Sequence, residues 1–349
     1  MKKLILSILS LFILLAAFTQ KKDNNEIIIA KGHMPAITKD KRNVIHIVYG
    51  SGDSIMYVSS KDGISYSSPA LVAELPHLIA SATRGPQVAA VANGLIVIAG
   101  DKAGNIFSYR KAIDGKWDKT KKVNDINEIS KEGLTALSAD GSNVFAVWLG
   151  VNNPKGQSVY GARSDDGGKT WHKNIIVYAS PSGTVCECCK PSTVVSGNNV
   201  YVMFRNFLSG NRDLYLTESS DNGKTFGQAQ KLGNGSWKLD GCPMDGGGIA
   251  INKNKIPETV WRRQGKIYTA QPGKPEKEIG EGRSCSIETI NNKNVYTWTE
   301  KGNVIVMKPD GAKINMGKGS LPLLQSLRND KVVCIWENEN EINTSVINL

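Results

Sequence analysis

Seven copies of one strand pattern run through the chain, and this repeat limits the possible folds more than any other feature. In each copy a short apolar segment is followed by a turn and by a second apolar segment. The first segments of the seven pairs are residues 44–49, 95–99, 144–148, 200–204, 257–261, 295–298 and 332–336. The second segments centre on residues 55, 106, 159, 214, 267, 304 and 342. Short strands at a regular spacing, here 37 to 55 residues, indicate an all-β repeat protein.

The length of the repeat and its number of strands select one architecture. Units of about 40–50 residues with four strands are the blades of a β-propeller. We predict seven blades, with six as the alternative because the last two copies are shorter. The innermost strands are predicted to begin near residues 34, 85, 134, 190, 247, 284 and 321. The last copy ends after its third strand, so the apolar segment 26–30 is predicted to supply the fourth strand and close the ring.

The first residues carry the pattern of an export signal. Lys2 and Lys3 precede an apolar segment at residues 4–18, and small or polar residues follow it. We predict a signal peptide at residues 1–20 and a single propeller domain at residues 21–349; a single membrane anchor is the alternative. The mature protein is then exported, to the periplasm, the cell surface or the medium. Disulfides are permitted there, and no stable membrane span is expected after cleavage.

The charge of the chain narrows the class of partner. Hydrophobic residues make up 40% and charged residues 21%, which is the composition of a folded globular chain. The formal charge is +11, and removal of Lys2 and Lys3 leaves it at +9. A basic surface favours anionic partners such as acidic glycans. Export argues against nucleic acid as the partner.

Two turns share the pattern S-x-D-x-G-x-T-[W/F], and a shortened copy occupies residues 60–66. The Asp of such a turn accepts hydrogen bonds from nearby backbone N–H groups, the Gly permits a positive φ, and the aromatic ring packs between strands. The turn residues that carry these roles are Ser164, Asp166, Gly168, Trp171, Ser219, Asp221, Gly223 and Phe226.

These turns resemble the Asp-box, or bacterial neuraminidase repeat, of the sialidase superfamily. The resemblance covers the mature chain as architecture and implies a sialidase-like propeller in which the Asp-boxes have a structural role. It also implies arginines that bind a substrate carboxylate, together with acidic catalytic residues. The nearest match to the Arg-containing motif of sialidases is Arg84-Gly85-Pro86, which leads into the second unit.

Propeller geometry brings residues that are remote in sequence to one face. The starts of the innermost strands and the loops between second and third strands surround the same end of the central channel, which we call the channel mouth. The predicted anion-binding arginines there are Arg84, Arg205, Arg212, Arg262 and Arg283. The candidate acids or bases are Glu132, Glu187 and Asp245, because glycoside hydrolysis requires paired carboxyl groups.

Five of the six cysteines are also predicted to lie at starts of innermost strands, and three hypotheses account for them. Disulfides, for example between Cys189 and Cys242, are the default in an exported protein. A soft metal, copper or zinc, is the second, and a reactive thiol or redox pair is the third. The proposed metal ligands are Cys186, Cys188, Cys189, Cys242, Met244, His33 and Met34.

The sequence leaves three functional hypotheses open. The first is a sialidase-like protein that binds or hydrolyses an anionic glycan at the channel mouth; as an enzyme it would be an exo-sialidase type of glycoside hydrolase. The second is a soft-metal protein centred on the cysteines. The third is a scaffold without catalytic activity that binds a partner protein on its broad face.

Overall fold

The computed structural model describes residues 26–112, 115–118, 121–153 and 156–349. Its first fourteen strands are β1 (Ile27–Lys31), β2 (His33–Lys39), β3 (Ile45–Ser51), β4 (Ser54–Ser60), β5 (Ala70–Glu74), β6 (Gln87–Val91), β7 (Gly94–Gly100), β8 (Ile106–Ala112), β9 (Lys121–Lys122), β10 (Thr135–Asp140), β11 (Asn143–Asn153), β12 (Gly156–Ser164), β13 (Ile175–Tyr178) and β14 (Ser192–Ser196). The remaining strands are β15 (Asn199–Arg205), β16 (Leu214–Ser219), β17 (Gln230–Lys231), β18 (Gly247–Ile251), β19 (Pro257–Arg263), β20 (Lys266–Ala270), β21 (Lys277–Glu281), β22 (Arg283–Ile290), β23 (Lys293–Glu300), β24 (Asn303–Met307), β25 (Lys313–Lys318), β26 (Ser320–Ser326), β27 (Lys331–Asn338) and β28 (Glu341–Asn348). The predicted signal peptide, residues 1–20, lies outside the described residues.

These strands form seven four-stranded antiparallel sheets arranged as a propeller, so the prediction of seven blades is confirmed and the alternative of six is wrong. Blades 1 to 6 are β2–β5, β6–β9, β10–β13, β14–β17, β18–β21 and β22–β25. Blade 7 has the order β1-β28-β27-β26, so strands from the two ends of the described chain pair in one sheet. Within the described part of the chain, no helix is both long and apolar enough to span a bilayer.

The hydrophobic core lies in the seams between blades. Each apolar cluster combines side chains of two neighbouring blades, and together the clusters cover all seven seams, including the one between blades 7 and 1. The second strand of each blade contributes to two seams, and large rings there, such as Trp148, Trp298 and Trp336, are fully buried. This two-sided burial explains why the second strands were the clearest apolar segments of the repeat.

The ring closes through β1, as the sequence predicted. The strand pairs antiparallel with β28, from Ile27 opposite Thr344 to Lys31 opposite Glu341. The next residue, Gly32, continues the ladder by donating its backbone N–H to the carbonyl of Asn340 at 2.9 Å. The side chain of Ile29 packs on the apolar seam between blades 7 and 1. The pairing covers the outer edge of β28, which would otherwise expose unpaired backbone groups.

The two complete Asp-box turns have nearly identical hydrogen bonds. In the first, Ser164 Oγ accepts the backbone N–H of Gly168 at 2.9 Å and lies 2.8 Å from Asp166 Oδ1. Asp166 in turn accepts the N–H and the hydroxyl of Thr170, at 3.0 and 2.6 Å. Ser219, Asp221, Gly223 and Thr225 repeat this set of bonds in the second.

Each Asp-box turn also contacts the preceding blade. Trp171 Nε1 donates to Ser108 Oγ of blade 2 at 3.0 Å, and the ring of Phe226 lies 5.5 Å from that of Phe145 in blade 3. Gly168 has φ +82°, and a Cβ there would lie 1.9 Å from Ile96 Cδ1 of blade 2, so glycine is required on both grounds. The turns therefore join neighbouring blades and lie away from the channel mouth.

Replacing Asp166 with alanine is expected to lower stability by about 1–2 kcal/mol at neutral pH, because two donors of Thr170 lose their acceptor. Although burial opposes ionisation, the hydrogen bonds from Thr170 lower the pKa of Asp166 to about 2, below its ordinary value of 3.8. The carboxylate therefore stabilises the fold above about pH 4, and this contribution is lost as the pH falls towards 2. Urea unfolding at pH 7 and near pH 2.5 checks this.

The exposed neighbour Lys169 supplies the matched control. Lys169→Ala should change the free energy of unfolding by no more than about 0.5 kcal/mol at either pH. A difference between wild type and Asp166→Ala that stays constant from pH 7 to pH 2.5 would contradict the assigned role of the carboxylate.

Candidate ligand site at the channel mouth and the neighbouring cysteine cluster

The innermost strands of all seven blades surround a central cavity of about 300 Å³. Its polar lining comes from the first residues of these strands and from the residues just before them. Those that matter here are Gln87, Lys190, Ser192, Asp245 and Ser284, and Met34 adds an apolar surface. Asp245 is the only acidic residue among the described residues that line the cavity.

Lys190 is the cation of the cavity wall. Its Nζ donates to Gln87 Oε1 at 2.9 Å, and no carboxylate of the described ranges forms an ion pair with it. Burial disfavours the ammonium form and lowers the pKa of Lys190 to about 8. The side chain thus offers a cationic hydrogen-bond donor within the channel.

Asp245 is held by neighbours on blades 5 and 6. The residue is 3% exposed, and its carboxylate accepts the backbone N–H of Ser284 at 3.1 to 3.2 Å. Arg262 Nη1 lies 3.7 Å from Asp245 Oδ2. Burial raises the pKa of Asp245, while Arg205, Arg262 and Arg283 favour its ionised form. The carboxyl group is therefore fixed in orientation before any ligand binds.

The structure gives the five predicted arginines different roles. Arg205 is 1% exposed and donates to the carbonyls of Asp245, Arg212 and Arg262, at 3.2, 2.7 and 2.9 Å. All its donor groups face protein, so it holds the walls of the mouth together. Arg262 lies beside Asp245, with its guanidinium 5.4 Å from the ring of Trp237. The Arg205 guanidinium is therefore fully used by the protein, whereas Arg262 donates to the Pro243 carbonyl at 3.4 Å and its buried Nε has no hydrogen-bond partner among the described residues.

Of the other three predicted arginines, two have protein partners and the third is exposed to solvent. Arg84 pairs with Glu132 at 2.8 Å. Arg212 donates to the carbonyl of Leu239 and to Cys186 Sγ, both at 3.2 Å. Arg283 is exposed, and its charge acts on Asp245. Of the five, Arg283 is thus the arginine best placed to meet an incoming anion.

The three predicted carboxyl groups do not share one environment. Glu132 is bound to Arg84, and Glu187 is exposed, with its Oε1 3.2 Å from Thr184 Oγ1. Neither residue lines the cavity, whereas Asp245 does. The structure therefore places one of the three candidate acids in the channel.

Four of the six cysteines form a compact cluster beside the mouth, which we call the cysteine cluster: Cys186, Cys188, Cys189 and Cys242. The three from the segment before β14 have sulfurs that all lie within 4.8 Å of one another. Cys186 Sγ is 3.3 Å from Cys189 Sγ and 3.8 Å from Cys188 Sγ. Cys188 is bonded to Cys242, which comes from the segment before β18.

This disulfide differs from the Cys189–Cys242 pairing given as an example from the sequence. Cys189 is 1% exposed and points to the interior sulfur of Cys186, whereas Cys188 lies nearer the surface, opposite the exposed Cys242. The contact with Cys189 and the charge of Arg212 lower the pKa of Cys186 to about 6, against the effect of burial. Burial raises the pKa of the Cys189 thiol well above its usual value.

The other predicted metal ligands have surroundings of a different kind. His33 Nδ1 is 2.8 Å from Glu337 Oε1, and Glu337 also accepts the backbone N–H of Met34 at 2.8 Å. Met34 lines the channel, and Met244 is 39% exposed. Cys285 and Cys334 are buried free thiols, with a raised pKa in each case because of burial.

Sequence reasoning gave no site role to Gln87, Ser284 and Trp237, which carry no motif. Residue 284 was itself a predicted start of an innermost strand, and Gln87 lies two residues after another, at residue 85. Giving a role to every polar residue near those starts would have found the first two. Trp237 lies 5.4 Å from the guanidinium groups of both Arg205 and Arg262, and it comes from a long loop outside the repeat pattern.

Comparisons with known proteins support the fold. No protein-family model matches the chain, and no curated protein matches its sequence. Among solved structures, the α-L-arabinanase of Penicillium chrysogenum complexed with arabinobiose is 14% identical and has a TM-score of 0.54, with 93% of this chain and 97% of that chain covered. An ulvan lyase bound to -[GlcA(1-4)Rha3S]- is 8% identical with a TM-score of 0.57, covering 93% and 96%.

A third neighbour is the Aleuria aurantia lectin in complex with Fucα1-6GlcNAc. It is 9% identical, with a TM-score of 0.50, and the alignment covers 91% of this chain and 98% of the lectin. Identities this low show a common fold and nothing finer. The chain is therefore a β-propeller of the kind found in these three proteins.

Proposed function

We propose that this chain is an exported propeller that binds an acidic glycan at the channel mouth. The observation that carries the proposal is the charge pattern of the central cavity. Lys190 lines the cavity and has no carboxylate partner among the described residues, and the exposed Arg283 begins β22 immediately before the lining residue Ser284. The single acidic side chain there, Asp245, is already bound by Ser284 and Arg262.

The size and lining of the cavity suit a sugar unit. Its volume of about 300 Å³ is at the lower end of small-molecule pockets, so it accommodates a terminal unit of a larger chain. Gln87 and Ser284 offer polar groups, while Met34 offers an apolar surface for the face of a sugar ring. A carboxylate or sulfate on that unit would be bound by Lys190 and Arg283.

Two further points support this function. The three neighbours of similar fold are each bound to a saccharide: arabinobiose, -[GlcA(1-4)Rha3S]- and Fucα1-6GlcNAc. The Cys188–Cys242 disulfide fits an oxidising compartment, which agrees with the predicted export signal.

Binding is favoured over hydrolysis by the number of acids in the cavity. Glycosidases that follow the usual mechanism place two carboxyl groups about 5–10 Å apart around the scissile bond. Within the described residues, the lining of the cavity offers Asp245 as its one carboxyl group, and it contains no tyrosine, the residue that sialidases use as nucleophile in place of the second carboxylate. We therefore propose that the mouth recognises a glycan and does not cleave it, and absence of product from a sialoside substrate is the expected result.

Substitution of Arg283 by glutamine tests the proposal. Calorimetric titration with acidic oligosaccharides and with their neutral counterparts should show that the wild type prefers the acidic ones. Because a hydrogen bond to a charged group contributes about 1.5–3 kcal/mol, Arg283→Gln should weaken acidic binding about tenfold or more. The affinity for the neutral oligosaccharides should change little. The difference in acidic-oligosaccharide affinity between wild type and variant should become smaller at high salt.

Arg328→Gln provides the matched control. Arg328 is exposed in the loop between β26 and β27, at the opposite end of the channel, so the same change of charge should leave binding unaltered. Equal loss of affinity in both variants would show that only net charge matters and would contradict a site at the mouth.

A further inference from the structure

The cysteine cluster is a second candidate site, separate from the sugar-binding cavity. It joins two blades: one segment leads into β14 of blade 4, and the other leads into β18 of blade 5. Cys186 and Cys189 are buried, each 1% exposed, whereas Cys242 is exposed to solvent. The cluster thus has an interior end and an open end, which is the layout of a site that an ion can enter.

The sulfur positions match the spacing of thiolate ligands. Bonds of about 2.3 Å from a tetrahedral ion to sulfur place neighbouring sulfurs about 3.8 Å apart. The two shortest separations around Cys186, 3.3 and 3.8 Å, are close to that value. Small shifts of side chains, without movement of the blades, would bring these sulfurs to ligand spacing.

The surroundings of the sulfurs are built for negative charge. Arg212 Nη1 is 3.2 Å from Cys186 Sγ, and the charge of Arg205 also acts on both interior cysteines. Donors of this kind around thiolates orient the ligands of a metal site. Four thiolates with a divalent ion carry a charge of −2, which the two guanidinium groups balance.

We propose that Cys186, Cys188, Cys189 and Cys242 form a binding site for a soft cation with a filled d shell, Zn²⁺ or Cu⁺, when the Cys188–Cys242 bond is reduced. An all-sulfur donor set selects such ions. It differs from the set suggested by the sequence, because His33 is paired with Glu337, Met34 lines the channel and the Met244 side chain is 39% exposed.

Reduction of the Cys188–Cys242 disulfide precedes metal binding, and its electrons and protons balance. A dithiol reductant donates two electrons and two protons to the Cys188–Cys242 disulfide, which becomes two thiols, while the reductant becomes a disulfide. Binding of the ion then displaces the thiol protons into solvent. The bound ion would fix the segments that carry Lys190 and Asp245, since these residues follow Cys189 and Cys242 closely in sequence.

The test uses the full mature protein and compares alkylation of its cysteines with and without metal. The protein is reduced with a phosphine under anaerobic conditions and offered Zn²⁺, or Cu⁺ as a weak complex. After a brief pulse of iodoacetamide, peptide mass spectrometry measures labelling at each cysteine. The cluster cysteines should be protected at least tenfold by one of the two ions, and native mass spectra should show one bound ion per chain. Whichever of the two ions protects the cysteines from alkylation is the ion that the site binds.

Two variants sharpen the result. Cys189→Ala should weaken binding by at least about 100-fold, the upper range for loss of an outer partner of a metal site. Cys334→Ala removes a buried free thiol of another seam and should keep one ion per chain. If Cys189→Ala does not fold, the alkylation of the wild-type cysteines with and without metal still tests the proposal. Equal labelling with and without either ion, or cysteines that stay disulfide-bonded under the reductant, would overturn the proposal whatever the glycan titrations show.

Discussion

A chain shortened to begin at Gly32, and so lacking β1, is expected to unfold at a temperature about 5–10 °C lower than a chain that begins at Glu26. The loss removes the outer partner of β28 and the packing of Ile29 on the seam between blades 7 and 1. Four or five backbone hydrogen bonds at about 1 kcal/mol each, with part of an isoleucine burial, amount to roughly 5 kcal/mol. The entropy of unfolding is about 2.1 cal/mol/K per residue, or about 0.7 kcal/mol/K for this chain, so this loss of stability corresponds to roughly 7 °C.

Calorimetry or circular dichroism of the two purified chains measures this effect. The comparison isolates β1, because both chains lack residues 1–25 and differ only in residues 26–31. The shorter chain should also associate more readily, since β28 becomes an open edge. Equal transition temperatures would mean that β1 does not close the ring.

Replacing Arg205 with alanine is expected to lower stability by about 3–5 kcal/mol, the range for removing one partner from a buried charged network. The carbonyls of Asp245, Arg212 and Arg262 would lose their donor in an interior that water does not reach easily. Each buried unpaired acceptor costs about 1–3 kcal/mol. Urea unfolding followed by tryptophan fluorescence measures the loss, and Trp237 beside Arg205 reports on it locally.

Arg205→Lys separates charge from geometry. Lysine keeps the positive charge but has a compact ammonium in place of the planar fork, so it should recover only part of the stability. Arg328→Ala, on an exposed loop, should change the free energy of unfolding by no more than about 0.5 kcal/mol. An Arg205→Ala protein as stable as wild type would contradict this structural role. Loss of acidic-glycan binding at unchanged stability would show that Arg205 binds the ligand directly.

Much of the fold could be predicted because its signals are local. The second strands are buried on both sides and therefore appear as continuous apolar segments, such as residues 144–148 and 332–336. Seven such segments imply seven blades, and the unpaired apolar segment 26–30 implies the strand that closes the ring. The Asp-box turns are equally local, since the partners of Asp166 lie within four residues of it.

The candidate site was predictable only in outline. Knowledge of the architecture was enough to bring Arg84, Arg205 and Asp245 to one end of the channel. It did not show which of them remain available to a ligand, because that depends on partners such as Glu132 and Ser284, which are 39 or more residues away in sequence. Five arginines therefore looked equivalent, and the structure leaves Arg283 as the exposed one.

The sequence alone determined the propeller architecture, the strand that closes the ring and the position of the Asp-boxes, because periodic burial and short turns depend on neighbours within one repeat; it favoured seven blades, and the structure excluded six. The tertiary structure decided which cysteine pairs with Cys242, which guanidinium is buried and which acid lines the channel. Those outcomes depend on contacts between loops of different blades, where separations of a few ångströms select one partner over another. No pattern along a single strand encodes such distances.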